Sequence, residues 1–180
     1  NTKLISINFP NNPTGRILPR ASFDAIIDIC RQQDIWLFSD EVYRLIERDP
    51  SLRLPQAVDV YERAISLNVM SKAYGLPGLR IGWIATHNAE LYRRMAALKD
   101  YTTICNSAPS EFLAGLALRH RDALATRSLE IITGNLNILD QFFDRHAALF
   151  TWHRPQAGSI GFPKLMKEDA EVFCEALVKS

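Results

Sequence analysis

Little in this sequence of 180 residues is in excess, and several absences narrow its function. Three cysteines, Cys30, Cys105 and Cys174, stand far apart and form no metal-ligand spacing. Neither a disulfide framework nor a zinc site is therefore expected, and a reduced, cytoplasmic compartment is the simplest reading. Charge of one sign is missing too: 21 basic residues against 20 acidic ones leave a formal net charge of +1. That balance gives no electrostatic case for nucleic acid or for an anionic membrane surface. No apolar run approaches a membrane span, and no basic-then-apolar leader opens the chain. The histidines His87, His120, His146 and His153 are scattered without ligand spacing, so no metal is expected.

What is present is the composition of an ordinary globular protein, 47% hydrophobic and 23% charged. The first half alternates strand and helix signals. "LISINFP" ends in the turn-forming "NNPTG", and "SFDAIIDICRQQD" puts Phe23, Ile26, Ile27 and Cys30 on one helical face. "IWLFSD" and "RAISLNVMS" are further short runs, apolar throughout, as suits strands covered on both faces by helices. "LRIGWIAT" follows after a gap too short for a parallel crossover, so it is expected to run antiparallel. The second half is helical from Asn88 to about Lys99, again behind Pro109 and Ser110, and through "LEIITGNLNILDQFFDRHAAL", where Gly134 is the weakest point. "FTWHRP", "SIGFPKL" and the apolar stripe Ala170, Phe173, Ala176, Leu177 predict the opening of a smaller α+β unit. That uncovered stripe, and a start at Asn1 that runs at once into a strand, lead us to expect an internal fragment of a longer chain.

Chemically distinct groups fall at four strand-end sites in this reading. Asn12 follows the first strand, Asp40 and Tyr43 the second and Lys72 the third, while Arg80 leads into the fourth. Ligands of open α/β sheets bind outside the carboxyl ends of the parallel strands, so these residues can share one crevice. A lysine at the exit from a sheet suits a carbonyl partner and a Schiff base. A guanidinium suits a phosphate, a carboxylate suits a protonated pyridine nitrogen, and an amide with a phenol suits a ring oxygen. Pyridoxal 5′-phosphate carries all four acceptors.

"NFPNNPTG", "FSDEVYR" and "MSKAYGLPGLRIGW" resemble, in order, the signatures of class I/II aminotransferases, pyridoxal-phosphate enzymes of fold-type I. The resemblance covers nearly the whole chain and implies an α/β fold. Residues 1–108 are the expected C-terminal part of a large cofactor-binding domain with a mostly parallel sheet. An interdomain helix region is expected over 109–147, and the start of a small C-terminal domain over 148–180. The resemblance further implies that Lys72 carries the cofactor as a Schiff base and moves the substrate proton, and that Asp40 keeps the ring nitrogen protonated. Tyr43 and Asn12 would donate to the ring oxygen, and Arg80 would bind the phosphate. Amino-acid and 2-oxo-acid substrates and a homodimer follow from the same likeness. One departure is Val69, where many relatives have a phosphate-binding hydroxyl three residues before the lysine. Losing one neutral hydrogen bond weakens cofactor binding by about 1 kcal/mol. The segments that supply the ring-stacking aromatic, the glycine-rich phosphate loop and the carboxylate-binding arginine lie outside these residues, so the 180 residues alone are expected to be inactive. Alternatives within the fold are a β-lyase or a decarboxylase; outside enzymes, a ligand-sensing domain of a transcription regulator.

Overall fold

Three of the apolar runs become parallel neighbours. In the computed structural model, which describes residues 1–167 and 169–179, β1 (Leu4–Asn8), β2 (Trp36–Asp40) and β3 (Ala64–Val69) lie side by side in chain order. Leu4 stands opposite Trp36, and Leu37 opposite Ala64. The fourth strand, β4 (Gly82–Ala85), pairs antiparallel with β3, Val69 facing Gly82, as the short gap predicts.

One face of this sheet holds the main core. α1 (Arg20–Gln32) presents Phe23, Ile27 and Cys30 at intervals of four and three, one buried stripe per turn, and an Arg20–Asp24 pair at 2.8 Å braces its exposed first turn. These side chains pack with Leu37, Ala64 and the partly buried Ile5 and Ile7, and with Ala57 and Tyr61 at the ends of the short α2 (Ala57–Val60). Each large apolar side chain buried here contributes about 1.5–3 kcal/mol. The opposite face departs from the expected two-sided cover. Trp36, Phe38 and Asp40 are only half-buried and Ile84 is 46% exposed, because α1 and α2 both lie on the Leu37 side. α3 (Ala89–Asp100), capped by Asn88 accepting from the Leu91 amide, leaves a groove of about 510 Å³ against Leu67, Gly82 and Ile84.

The second half is built on α4 (Ala108–Arg119) and α5 (Arg121–Arg145). α4 starts at Ala108, two residues before the sequence pattern suggested, because Pro109 fits the first turn, where its missing N–H has no partner to lose. Between α4 and α5 the backbone leaves helical geometry at His120. α5 continues through Gly134 without interruption. β5 (Phe150–Thr151) and β6 (Lys164–Leu165) pair antiparallel, and α6 (Ala170–Lys179) brings Phe173 edge-on to Phe150, with Leu177 left 64% exposed. Glu168 and Ser180, at the edge of this stretch, lie outside the described residues. The tryptophans are packed: Trp36 lies under Arg63, Trp83 in an apolar cluster, and Trp152 is stacked on Phe143 while donating to Asp140.

Two polar devices tie these parts together. Glu41, 5% exposed, accepts from the Ala57 amide and the Ser66 hydroxyl, both at 2.9 Å, and so joins the end of β2 to α2 and β3. Burial raises its pKa above the usual glutamate value, against the Ala57, Ser66 and Ser39 hydrogen bonds and the Arg44 charge. The second device is the Gly15 carbonyl, which accepts from the amides of Gln156 and Ala157 at 2.9 and 3.0 Å.

Gly15 has φ +65°, and a Cβ there meets Pro155 Cβ at 2.2 Å and the Ala157 carbonyl at 2.8 Å. Gly15→Ala is therefore expected to lower unfolding free energy by about 1–3 kcal/mol, read from the urea midpoint. For Glu41 the sign follows from a folded pKa above the unfolded one. Its ionised form is the costly one in the fold, so the stability of the native protein relative to Glu41→Gln is greatest below the unfolded glutamate pKa. It declines as pH rises through the raised value. Paired urea titrations from acid to neutral pH check this; a difference that grows with pH contradicts it.

Candidate active site

The three parallel strands end abreast, Asn8 opposite Asp40 and Asp40 opposite Leu67, and the reversal at Val69–Gly82 returns the chain to the same end. All five residues singled out in the sequence sit in the connections at that end.

Asn12 is held by a turn of its own. Its amide donates to Asn8 Oδ1 at 2.8 Å, the Gly15 amide donates to the Asn11 carbonyl at 2.8 Å, and Thr14 donates to Asn11 Oδ1. The Phe9–Pro10 and Asn12–Pro13 bonds are both cis. Asp40 closes β2, and its Oδ1 accepts from the Val42 amide at 3.2 Å, which folds "SDEVY" into the turn that carries Tyr43 inward. Tyr43 is 2% exposed and packs with Ile46, Ala73, Leu129 and Ile132. Its ring is rigid for that reason, and its hydroxyl accepts from Asn12 Nδ2 at 3.4 Å.

Lys72 lies in a loop closed on itself. Met70 donates to the Ile81 carbonyl, Leu76 to the Met70 carbonyl and Gly75 to the Lys72 carbonyl. The neighbours Ala73 and Tyr74 are buried and anchor the loop, whereas Lys72 is exposed, with Nζ 5.3 Å from the centroid of the Tyr43 ring. No carboxylate pairs with Lys72 among the described residues. Asn12, Tyr43 and Lys72 thus form one contiguous cluster, and Asp40 is bonded to the amide of Val42, the residue before Tyr43.

Arg80 is at the same end but not in that cluster. Its guanidinium donates to the Pro77 carbonyl of its own turn at 3.0 Å, and its backbone has φ +54°, the left-handed region that a residue with a Cβ adopts at a cost. Val69 faces Gly82, and its Cγ1 lies 2.9 Å from where a Gly82 Cβ would stand, so this side chain fills the gap left by the glycine. Sequence reasoning missed two contributors. Gly158, at φ +78°, lies against the Tyr43 ring, with a Cβ position 3.4 Å from Cδ1. Arg48 grips the segment that contains it, through hydrogen bonds to the Ile46 and Gly158 carbonyls at 2.7 and 2.6 Å. Neither carries a local signal, since the contacts that bring Gly158 to Arg48 and Tyr43 span 110 residues or more. Among the described residues no group of His, Cys, Asp and Glu is arranged to hold a metal ion, and no helix is long and apolar enough to cross a membrane.

Known proteins similar to this chain match it along nearly its whole length. Capreomycidine synthase of Streptomyces vinaceus is 30% identical over 179 residues, covering 98% of this chain and 45% of that protein. A pyridoxal-phosphate-dependent aminotransferase from Streptococcus suis superposes with a TM-score of 0.91 at 36% identity, covering 99% of this chain and 47% of the other. The pyridoxal-phosphate-dependent cyclase OrfR superposes with a TM-score of 0.87 at 29% identity, covering 99% and 48%. The chain therefore spans about half the length of the relatives it matches. The family model for aminotransferase class I and II matches residues 1–180, from end to end, and the chain belongs to that family.

Proposed function

We propose that this protein is a pyridoxal-phosphate-dependent aminotransferase that moves an amino group between an amino acid and a 2-oxo acid. The observation that carries the reading is the cluster of amine, phenol and amide, Lys72 over Tyr43 and Tyr43 bonded to Asn12, beside a carboxylate at the end of β2. These donors fit the cofactor group for group. When bound, pyridoxal phosphate supplies an electron-withdrawing ring that stabilises negative charge at the substrate α-carbon.

Each residue then has one task. Lys72 Nζ would hold the cofactor and, when free as an amine, would move the proton at the substrate α-carbon. Asp40 would pair with the protonated ring nitrogen, its own orientation fixed by the Val42 amide. Tyr43 and Asn12 donate to the ring oxygen; their present mutual hydrogen bond keeps both aimed at one point. Arg80, once its guanidinium leaves the Pro77 carbonyl, binds the phosphate. Val69 offers no hydroxyl there, which weakens the grip by about 1 kcal/mol. Residues 1–108 serve as part of the large domain, 109–147 as the interdomain region and 148–180 as the start of the small domain. A cytoplasmic homodimer completes the reading, with small-molecule substrates and no nucleic-acid or membrane partner. The 180 residues alone are inactive on this account, and turnover by them alone contradicts it.

A second reading has specific support. One of the relatives matched over 98% of the chain is a synthase, and one of the structural neighbours is a cyclase. The same residues then serve a ring closure in which the amino group stays on its substrate.

In the full-length protein, Lys72→Ala is expected to lower kcat by at least ~10²–10⁴-fold. Borohydride treatment of the cofactor-loaded native protein is expected to fix the cofactor's mass on the Lys72 peptide, and to leave the alanine variant unlabelled. A label on any other lysine contradicts the assignment. Products from a panel of amino acids with a 2-oxo-acid acceptor decide between the readings. Stoichiometric oxo-acid exchange supports amino transfer, and a cyclised product without oxo acid supports the second reading. Pyruvate with ammonia, or CO₂, contradicts both in favour of a lyase or decarboxylase.

A further inference from the structure

The segment Pro155–Gly158 comes from beyond α5, yet it is seated at the end of the sheet. Gln156 and Ala157 donate to the Gly15 carbonyl of the Asn12 turn, the Arg48 amide donates to the Gln156 carbonyl at 3.0 Å, and Glu47 and Ala157 form a β-bridge. The Arg48 side chain completes the seat. One guanidinium nitrogen donates to the Ile46 carbonyl and another to the Gly158 carbonyl. Ile46, 0% exposed, belongs to the same apolar cluster as Tyr43. Gly158 is buried beside the Tyr43 ring, where a Cβ on it would stand 3.4 Å from Cδ1. Its φ of +78° leaves the carbonyl free to turn toward Arg48.

Resting on the proposed role of Tyr43, we infer that Arg48 is a positioning residue. By bridging the Ile46 and Gly158 carbonyls it holds the Gly158 backbone beside the Tyr43 ring as one wall of its socket, and so keeps the Tyr43 hydroxyl aimed at the point it shares with Asn12. A planar guanidinium can span two carbonyls at once, whereas a lysine ammonium on its flexible stem holds one point. Burying a cation among carbonyls is costly unless it is hydrogen-bonded, and here burial and the neighbouring Arg154 both lower the Arg48 pKa. The nearby Glu47 carboxylate opposes that effect, and the two carbonyl bonds hold the half-buried side chain in place. The position follows Tyr43 by five residues in sequence, so one short segment supplies both the phenol and the clamp that steadies it.

The test uses the full-length protein loaded with pyridoxal phosphate and reads the pH at which its visible absorption band changes. Tyr43→Phe removes a donor to the ring oxygen and is expected to raise that midpoint by on the order of one pH unit. Arg48→Lys, which keeps the charge, is expected to raise it in the same direction by about a third of that shift or more, and to add nothing in the Tyr43→Phe background. Hydrogen exchange across residues 155–160 is expected to quicken in Arg48→Lys. Should that variant fail to fold, Gly158→Ala perturbs the other end of the same contact and is expected to shift the midpoint likewise. An unmoved midpoint in Arg48→Lys or Gly158→Ala, with a moved one in Tyr43→Phe, overturns the role of Arg48 alone. A full, additive shift by Arg48→Lys on top of Tyr43→Phe overturns it as well. An unmoved midpoint in Tyr43→Phe instead overturns the reading of the site, and this inference with it.

Discussion

The parallel ladder of β1, β2 and β3 ends with Asn8, Asp40 and Leu67 abreast, and the site depends on that alignment. Side-chain period in a strand is two, so a slip of one residue would turn Asp40 to the opposite face and carry Tyr43 out of its buried socket. The register is held by what packs beneath it. Leu37, Ala64 and the α1 stripe close one face, and Glu41 bonds β2's exit to α2 and β3. Chain reversal into β4 then returns Arg80 to the same end of the sheet.

Rigidity and exposure are divided between neighbouring residues. Tyr43 is sealed among Ile46, Ala73, Leu129 and Ile132, while Lys72, adjacent to Ala73, is left in the open with its ammonium over the phenol. A buried phenol gives a fixed donor, and an amine on an anchored loop can reach a ligand and withdraw. Arg80 is the member least prepared, engaged with its own turn's carbonyl at a left-handed backbone. On the proposed reading, the arriving phosphate replaces one weak neutral partner with a charged, bidentate one.

Much of this was legible in the residues. The antiparallel β4 followed from the short, proline- and glycine-containing gap after Val69, and the α1 core from the spacing of Phe23, Ile27 and Cys30. The joining of Asn12, Tyr43 and Lys72 at one sheet end followed from their places after apolar runs. What sequence did not carry was long-range. The break at His120 sits in a stretch of good helix formers with no glycine or proline to mark it. Arg48 reads as one more surface arginine until Gly158 is folded back over Tyr43. The two-sided cover expected for β1–β3 is present on the Leu37 face and only partial on the face that carries Asp40, because local pattern reports that a strand is apolar, not how many layers surround it.

The claim on which the account turns is that the Asn12 amide and the Tyr43 phenol act on one ligand atom as a coupled pair. A double-mutant cycle on pyridoxal-phosphate dissociation, with Asn12→Ala, Tyr43→Phe and the combined variant in the full-length protein, measures this directly. The account predicts that the two losses fail to add by at least about 0.5 kcal/mol, the double variant binding better than the sum of the singles allows. Strict additivity of two substantial losses, or no loss in either single variant, contradicts it.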